Sequence, residues 1–414
     1  MKERLSKFSA IFYTPILIYF VLFVAISLVA IASATPLAWI QYQEERNYMI
    51  RQAVFFVIGG VAMISVLFFG MKRLRFIRWS LYGIFLIMLL LILAWNRLPG
   101  FQPAWIVNIN GATRWIDLEF MQIQPSEFMR ISLILVLADI IQKHNEKTPH
   151  EQRTFKTDFW LILKALLVVL VPAGLIFEQP DSGITILILI TLSFMLLASG
   201  IKWTYIVVVA TIGIAFTYTF LTLAQYYPDM LLESGLIEPY QLQRFLGWFD
   251  PFGSISGYGR HLAFGLIGMG SGGIFGNGFQ STAAFFPEAH TDYIFAVIGM
   301  DFGMIASMFV IIICLLFNFT ILNTAVLNRG HYNSHVCVGI FTSLMAQQFW
   351  NIGMTLGIIP ISGVTLPFIS HGGSSVLASM IMLGIVLSSH VEGKELSHSE
   401  TTFREDILFL PESS

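Results

Sequence analysis

Ten long apolar stretches constrain the fold of this sequence more than any other feature. Each is close to the roughly 20 residues that an α-helix needs to cross a bilayer. The strands of a membrane barrel would be about 10 residues long and would alternate between apolar and polar residues. The pattern therefore predicts an all-α polytopic membrane protein with about ten transmembrane helices. The stretches lie near residues 12–34, 53–70, 79–95, 126–142, 159–177, 183–200, 203–223, 292–318, 335–357 and 374–390.

Composition agrees with a membrane protein. Of the 414 residues, 56% are apolar and 12% are charged, whereas soluble domains average about 45–50% and about 25%. An ordinary soluble enzyme is therefore excluded. The net charge of −2 provides no basic surface, so we expect no nucleic-acid partner. The two cysteines, Cys314 and Cys337, lie in apolar stretches and match neither a disulfide framework nor a metal motif.

The distribution of Lys and Arg predicts the orientation. These residues are concentrated in the even-numbered loops and in both terminal segments. By the positive-inside rule, both termini are then cytoplasmic. We expect a single transmembrane domain over residues 1–395, followed by a cytoplasmic tail at 396–414.

Two segments predicted to be outside are too long to be simple connectors. Residues 224–291 form a large extracellular loop before the eighth helix, and residues 96–125 include Trp105 and Trp115. Long loops in compact proteins are usually functional or disordered, and the large loop is too apolar for disorder. We therefore expect it to pack against the outer membrane face, and we expect any chemistry to take place there.

Charged side chains are costly to place within a membrane, and the first group of them surrounds the start of the fourth stretch. Arg114 precedes it, Ser126 or Gln124 could cap it, and Glu127 and Arg130 lie three residues apart on one helical face. One interpretation is a self-neutralising pair that lets the helix enter lipid. The other is a charged cavity that grips an anionic head group. The residues alone leave both open.

A second group lies at the start of the eighth stretch. Thr291 or Asp292 could cap the helix, but Glu288, His290 and Asp292 together exceed what capping needs. A partly desolvated carboxylate at a membrane boundary can have a raised pKa and act as a general base. Capping and catalysis both remain possible at this point.

Irregular segments supply further polar groups. Asp181 begins the sixth stretch, where an acid complements the helix dipole. Prolines and glycines in residues 360–375, the segment that contains His371 and Ser374, break any continuous helix, and such backbone is tolerated at membrane depth only where protein or water satisfies it. The glycine-rich run at 270–278 lacks a strand–loop–helix setting, so a nucleotide site is disfavoured. No cofactor is required by the sequence, although a divalent cation is possible.

Five segments, in this order, resemble the SEDS family (shape, elongation, division and sporulation), which includes RodA, FtsW and SpoVE. The short N-terminal segment and residues 351–354 are slightly closer to RodA. The matching segments are Gly111–Ile116 with Gln124–Glu127, Gln179–Gly183, Gly270–Gly273 with Gly276–Gly278, Pro287–Phe295, and Leu366–Ser370 with Gly372–Ser375.

The resemblance implies a peptidoglycan glycosyltransferase of the bacterial cytoplasmic membrane that polymerises lipid II for cell elongation or division. The family's essential aspartate maps onto Asp292, as a general base or as the group that positions the acceptor hydroxyl. Arg114, Arg130 and Arg244 are candidates to bind the leaving pyrophosphate. Implied partners are a class B penicillin-binding protein, which is a transpeptidase, and other membrane proteins of the elongasome or divisome. The remaining candidate substrate-binding residues are Trp115, Gln124, Glu127, Asp181, Glu288, His290 and Ser374.

Several positions depart from the family pattern. Arg130 stands where Lys is usual, His371 where Tyr is usual, Asn277 where Lys is frequent, and Met300 where an acid is common, although Asp301 follows it. Two other functions therefore remain alternatives: a lipid II flippase or transporter, and a non-catalytic scaffold of the cell-wall machinery. A flippase should also carry charges near the middle of the membrane and on its cytoplasmic side.

Overall fold

A computed structural model describes residues 14–42, 47–98, 103–109, 112–118, 121–233 and 239–408. The chain is mainly helical, and a helix overlaps each of the ten predicted stretches. The helices are α1 (Thr14–Tyr42), α2 (Tyr48–Phe69), α3 (Met71–Arg97), α4 (Pro125–Lys147), α5 (Phe155–Phe177), α6 (Ser182–Ala198), α7 (Trp203–Tyr226), α8 (Pro228–Glu233), α9 (Pro239–Phe249), α10 (Arg260–Gly272), α11 (Ile294–Leu327), α12 (Tyr332–Thr355) and α13 (Gly373–Leu408), with a short 3-10 helix at His150–Gln152.

Seven helices in the described part of the chain are long and apolar enough to cross a membrane: α1, α2, α3, α5, α7, α11 and α13. The apolar α6 is shorter. Polar residues within α4 and α12, such as Arg130 and Asn351, lower the hydropathy of those two helices. The count of ten crossings and the cytoplasmic position of both termini stay predictions, as does the division into a domain and a tail.

The segment between α3 and α4 contains a sheet, which the all-α expectation missed. Strands β1 (Ile106–Ile109), β2 (Ala112–Asp117) and β3 (Gln122–Ile123) form an antiparallel sheet in the order β1-β2-β3. Ile106 and Ile116 pack with Ile92 of α3, so the sheet covers the end of that helix. Strands this short cannot be stable alone, and their pattern is too brief to be distinguished from turns in the sequence.

The described residues of the 224–291 loop form helices and pack against the bundle, as the apolar content of the loop predicted. It contains α8, α9 and α10. Ala224 of α7 forms a small core with Leu231 and Leu242 of this loop, and α10 packs along α11. Beyond these contacts α7 is poorly packed, and large side chains such as Ile214 and Phe216 are exposed along it.

The centre of the bundle is built around α4. Its residues are buried continuously from Pro125 to Ala138. Helix α12 packs closely against α4 and α6, because a Cβ atom at Gly339 would lie 2.6 Å from Ile134 Cγ2 and 2.8 Å from Met195 Sδ. Near the other end of α4, Asp139 binds Arg75 at 2.9 Å, Arg78 at 2.6 Å and Lys143 at 2.9 Å. These ion pairs tie α3 to α4.

Helix α11 is broken inside its span at Gly303, where φ is 78° and ψ is −170°. The glycine-rich run at 270–278 satisfies the backbone groups that the break frees. The amide of Asn277 donates to the carbonyl oxygen of Met300 at 2.9 Å, and the amide of Gly278 donates to that of Asp301 at 3.0 Å. This run is therefore a structural element that completes α11, which agrees with the weak case for a nucleotide site.

We expect Gly303→Ala to destabilise the protein by about 2 kcal/mol or more. Gly303 occupies a backbone region that is essentially restricted to glycine, and a Cβ atom there would lie 2.4 Å from the nitrogen of Gly276. Gly60→Ala is the matched control, since a Cβ on that helical glycine meets nothing within 4 Å and alanine favours a helix by roughly 1 kcal/mol. Thermal unfolding of the detergent-purified protein measures both, and equal losses in the two variants would contradict this account of the break.

Candidate functional site

The Asp181 carboxylate joins three segments at the N-terminal end of α4. It accepts hydrogen bonds from Gln124 Nε2 at 2.6 Å and from Ser126 Oγ at 2.9 Å, and it pairs with Arg114 Nη1 at 3.4 Å. Asp181 is buried, and it stands at the N-cap of α6 without making a side-chain capping bond. Its place at the N-terminus of α6 agrees with the expected complement to the helix dipole, and its carboxylate also holds the neighbouring segments together.

Arg114 links the Asp181 contacts to the sheet and to the acid at the start of the eighth apolar stretch. Its guanidinium lies 4.4 Å from the ring centroid of Trp115, a cation–π distance. Strand β2 carries both residues, and its pairing with β1 sets Trp115 opposite Val107. The positive charge of Arg114 also acts on Asp292. The structure thus brings Trp115, Arg114 and Asp292 to the same side of the bundle.

Glu127 and Arg130 form the ion pair that their spacing indicated. Arg130 Nη2 donates to Glu127 Oε2 at 2.7 Å, and both side chains are almost fully buried. Nε and Nη1 of Arg130 have no hydrogen-bond partner among the described residues. The self-neutralising interpretation therefore accounts for only one of the three guanidinium nitrogen atoms of Arg130. Two of its donor atoms are thus unpaired by the ion pair, although both are buried.

Ser374 connects α13 to the segment that leads into α4. Its hydroxyl accepts from the amide of Gln124 at 2.8 Å and donates to the carbonyl oxygen of Gln122 at 2.7 Å. Its neighbour Ser375 bonds to Thr365 at 2.8 Å. Ser374 therefore holds the 360–375 segment against the Asp181 junction, which is a structural contact at the edge of the site.

Asp292 lies in the turn before α11, which begins at Ile294 rather than at the expected residue 292. Tyr293 is the N-cap, and no side chain caps the helix. Thr291 Oγ1 instead donates to Glu288 Oε2 at 2.8 Å. The prediction that Thr291 or Asp292 caps α11 is therefore wrong, and the carboxylate of Asp292 is left for another role.

Asn351 positions the backbone of this turn. Its Nδ2 donates to the carbonyl oxygen of Asp292 at 2.8 Å and to that of Val364 at 2.7 Å. The 360–375 segment also passes close to the carboxylate, since a Cβ on Gly363 would be 3.4 Å from Asp292 Oδ2. Sequence reasoning had noted Asn351 only within the RodA-like run at 351–354. Its signal was a set of amide side chains in a helix predicted to cross the membrane, namely Asn333, Gln347, Gln348 and Asn351.

The pKa of Asp292 differs from that of an ordinary surface acid. Burial, followed by the negative charge of Glu288, raises the pKa of Asp292 to about 6. The positive charges of Arg114 and Arg244 lower that pKa, and the charge of Asp181 raises it. Arg244 is exposed on α9, so the 224–291 loop contributes a cation to the same field. A carboxyl group with this pKa can exchange a proton near neutral pH.

A group of rings lies beside Asp292. The centroid of the buried His290 ring is 4.4 Å from that of Tyr48 and 5.8 Å from that of His371. The amide of His371 donates to the carbonyl oxygen of His290 at 2.9 Å. Burial lowers the pKa of His371 to about 3, and the nearby His290 and Arg51 act in the same direction, so its ring is neutral. No sequence pattern indicated that Tyr48 would join this group.

Strained backbone is found in the segments that flank the site. Gln280, Glu288 and Phe368 have φ angles of 61°, 55° and 64°. Non-glycine residues adopt such angles at a cost of roughly 1–3 kcal/mol, and they cluster at functional sites. Glu288 precedes Asp292 by four residues, and Phe368 precedes His371 by three.

Asp301 fixes the loop that leads to Asp292. Its Oδ2 accepts from the hydroxyl of Ser33 in α1. That hydroxyl accepts in turn from the amide of Gln280 at 2.9 Å. The backbone amides of Gln280 and Ser281 also hydrogen bond to the carboxylate. This buried acid therefore holds together α1, α11 and the loop, as expected for an acid that faces protein rather than lipid.

We expect Asp301→Asn to loosen this loop, because an amide nitrogen cannot accept the hydrogen bonds that one carboxylate oxygen accepts now. The loss should be about 1–3 kcal/mol, with faster hydrogen exchange at the amides of Gln280 and Ser281. Asp250→Asn is the control, since Asp250 bonds the amide of Gly253 at 2.8 Å in an exposed turn. Unchanged exchange near Gln280 in the Asp301 variant would refute the role given to this acid.

Within the part of the chain that the structure describes, no three His, Cys, Asp or Glu side chains form a group that could hold a metal ion. The cations predicted for the site are the guanidinium groups of Arg114, Arg130 and Arg244.

Known proteins with related sequences cover most of the chain. The probable peptidoglycan glycosyltransferase FtsW of Thiomicrospira cyclica is 30% identical over 382 residues, covering 90% of this chain and 89% of the relative. The peptidoglycan glycosyltransferase MrdB of Escherichia coli K12 is 31% identical over 349 residues, covering 83% and 86%. Because both names occur at similar identity, these relatives do not decide between a RodA-like and an FtsW-like role.

Solved structures share the fold. A chain from a peptidoglycan synthase complex that coordinates polymerization and crosslinking superimposes with a TM-score of 0.71 at 24% identity, covering 91% of this chain and 97% of that one. The rod shape determining protein RodA of Thermus thermophilus superimposes with a TM-score of 0.61 at 22% identity, covering 91% and 95%.

The family described as cell cycle protein, FtsW/RodA/SpoVE, matches residues 13–395. The match includes every candidate site residue and all the helices that are apolar enough to cross a membrane. The chain is thus a multi-pass protein of the bacterial cytoplasmic membrane, and it belongs to the FtsW/RodA/SpoVE family.

Proposed function

We propose that this chain is a peptidoglycan glycosyltransferase that polymerises lipid II at the outer face of the cytoplasmic membrane. The observation that carries the proposal is Asp292, an acid with a raised pKa that caps no helix and lies within the field of Arg114 and Arg244. The names of the curated relatives support the same activity. The substrate is a disaccharide-pentapeptide on undecaprenyl pyrophosphate.

In the proposed reaction, the 4-hydroxyl of one sugar attacks the anomeric carbon at the end of the growing chain. Asp292 accepts the hydroxyl proton, so it must be ionised before the attack. The bond from the anomeric carbon to the pyrophosphate oxygen breaks, and undecaprenyl pyrophosphate leaves with the bonding electrons. Arg114 and Arg244 stabilise the negative charge that develops on the leaving group.

The inner substrate contacts are assigned to the Arg130 pair. Arg130 has two free donors next to Glu127, and a guanidinium can bind a phosphate oxygen through two parallel hydrogen bonds. Arginine keeps the charge of the usual lysine but presents a planar, forked donor set. Trp115 would offer a ring face to the sugars, and Gln124, Asp181, Ser374 and the buried His290 would maintain the shape of the site.

Transport is less well supported by the charge distribution. The acid and bases at the opposite end of α4 are paired with one another, since Asp139 binds Arg75, Arg78 and Lys143. The free donors and the perturbed acid lie instead at the outer end of the bundle. This arrangement favours chemistry at the outer face over a polar path through the membrane.

A transpeptidase partner completes the proposal. A chain with the same fold occurs in a complex that coordinates polymerization and crosslinking, and glycan strands need crosslinks that no group described here would form. We therefore propose a class B penicillin-binding protein as the partner, together with other elongasome or divisome membrane proteins.

The test is polymerisation of fluorescent lipid II by the purified full chain, with and without its cognate transpeptidase. Asp292→Asn should lower the rate about 100-fold or more, because it removes the base without changing the side-chain size. Asp229→Asn, an exposed acid of the same loop, should polymerise normally. Long glycans from folded Asp292→Asn would remove Asp292 from the mechanism. No product even with the partner, combined with lipid II flipping in vesicles, would favour a transporter.

The pH dependence provides an independent check. Since the base must be ionised, kcat/KM should fall as the pH drops below about 6, the pKa of Asp292. Arg114 lowers this pKa and Glu288 raises it. Arg114→Gln should therefore move the acidic limb to higher pH, and Glu288→Gln should move it to lower pH. Shifts in the same direction in both variants would mean that another group controls the limb.

A further inference from the structure

An apolar groove lies between α2, α3, α4 and α13, and its end at Phe128 adjoins Glu127 in the chain. Its volume is about 330 Å³, roughly twice the 150 Å³ that accommodates a benzene molecule in an engineered cavity. Helix α2 packs along α13, and α3 packs along α4, so the groove separates two helix pairs. Its wall includes Phe69, Leu74, Ile77 and Ile385.

The groove offers almost no hydrogen bonds to an occupant. The two hydroxyl groups in its wall are already used, since Ser65 Oγ donates to the carbonyl oxygen of Val61 at 2.7 Å and Ser132 Oγ donates to that of Met129 at 2.9 Å. The other lining side chains are those of Val, Leu, Ile and Phe, which consist of hydrocarbon alone. A hydrocarbon chain is therefore the occupant that fits, because a polar molecule would lose its hydration without compensation.

The groove begins at the turn between α2 and α3. Phe69 is the last residue of α2, and Leu74 lies in the first turn of α3. At 1.5 Å per residue, Leu81 is about 15 Å along α3 from this turn. The stacked rings of Phe85 and Phe128, whose centroids are 5.6 Å apart, form the far limit. An acyl chain would thus enter from the turn, which the basic residues predict to be cytoplasmic.

Exposed cations lie at this entrance. The Arg73 guanidinium is 5.9 Å from the ring centroid of Phe69, and Lys72 is exposed beside it. The next two bases of α3, Arg75 and Arg78, are already paired with Asp139. The nearby acid Glu392 is also occupied, since it accepts hydrogen bonds from the amide of Met71 and from Asn333. Lys72 and Arg73 thus remain to attract a negative head group.

We propose that this groove binds a phospholipid of the cytoplasmic leaflet, with one acyl chain between the two helix pairs and an anionic head group on Lys72 and Arg73. The lipid would fill the gap between the α2–α13 pair and the α3–α4 pair, and so would support the contact between them. This site is independent of the proposed glycosyltransferase activity, because it shares no residue with the candidate site.

Native mass spectrometry of the full chain, exchanged into an equal mixture of phosphatidylglycerol, phosphatidylcholine and undecaprenyl phosphate, tests the proposal. Phosphatidylglycerol should be retained over phosphatidylcholine by about fivefold per cation at low salt. The double variant Lys72→Glu with Arg73→Glu should lose this preference. Lys156→Glu, an exposed base on another helix, should keep it.

A second pair of variants tests the groove itself. Ser65→Trp should fill it and abolish retention of phosphatidylglycerol, whereas Val57→Trp on an exposed, non-lining part of α2 should not. Thermal unfolding establishes that each variant is folded. Equal retention of both phospholipids overturns the head-group assignment, retention in folded Ser65→Trp overturns the groove, and preferential retention of undecaprenyl phosphate assigns the groove to a polyprenyl chain instead.

Discussion

The backbone of a chain in a membrane must satisfy its own hydrogen bonds, because hydrocarbon offers none. Helix α11 is broken within its span, and a second backbone segment supplies the hydrogen bonds that the helix lacks there. The amides of Asn277 and Gly278 donate to the carbonyl oxygens of Met300 and Asp301. The glycine-rich run at 270–278 is therefore an integral part of the helix. The turn that carries Asp292 is held between this completed break and α10. Without this pairing, neither the break nor the turn could persist at that depth.

The same constraint explains where the charges lie. Asp181 and Asp139 are buried acids near opposite ends of α4, and each is surrounded by donors. Buried acids that are matched in this way connect helices, and removing one partner would leave an uncompensated charge. Asp292 differs because its carboxylate caps no helix and its pKa is raised. A reactive acid is one that the surrounding protein leaves incompletely matched.

Much of the fold could be predicted from the sequence because membrane helices are specified by long apolar runs. The positions of Glu127 and Arg130 on one helical face followed from their spacing, and the pair forms. Capping by Thr291 or Asp292 was wrongly expected, because the helix begins only at Ile294. The β1–β3 sheet and the place of Tyr48 beside His290 were missed because local patterns do not reveal partners that arrive from distant segments. Both depend on tertiary contacts between segments far apart in the chain.

The positive φ angles of Gln280, Glu288 and Phe368 have a consequence for the evolution and engineering of this protein. Glycine would relieve the strain at Gln280 and Glu288, and screens for heat-resistant variants would reward these two replacements. Phe368 differs, because its side chain is buried against Phe23 and Phe317, and the cavity left by glycine would cost more than the strain. Replacement of Gln280 or Glu288 would loosen the loop and the turn that lead to Asp292. At these two residues heat resistance and catalytic rate should therefore change in opposite directions.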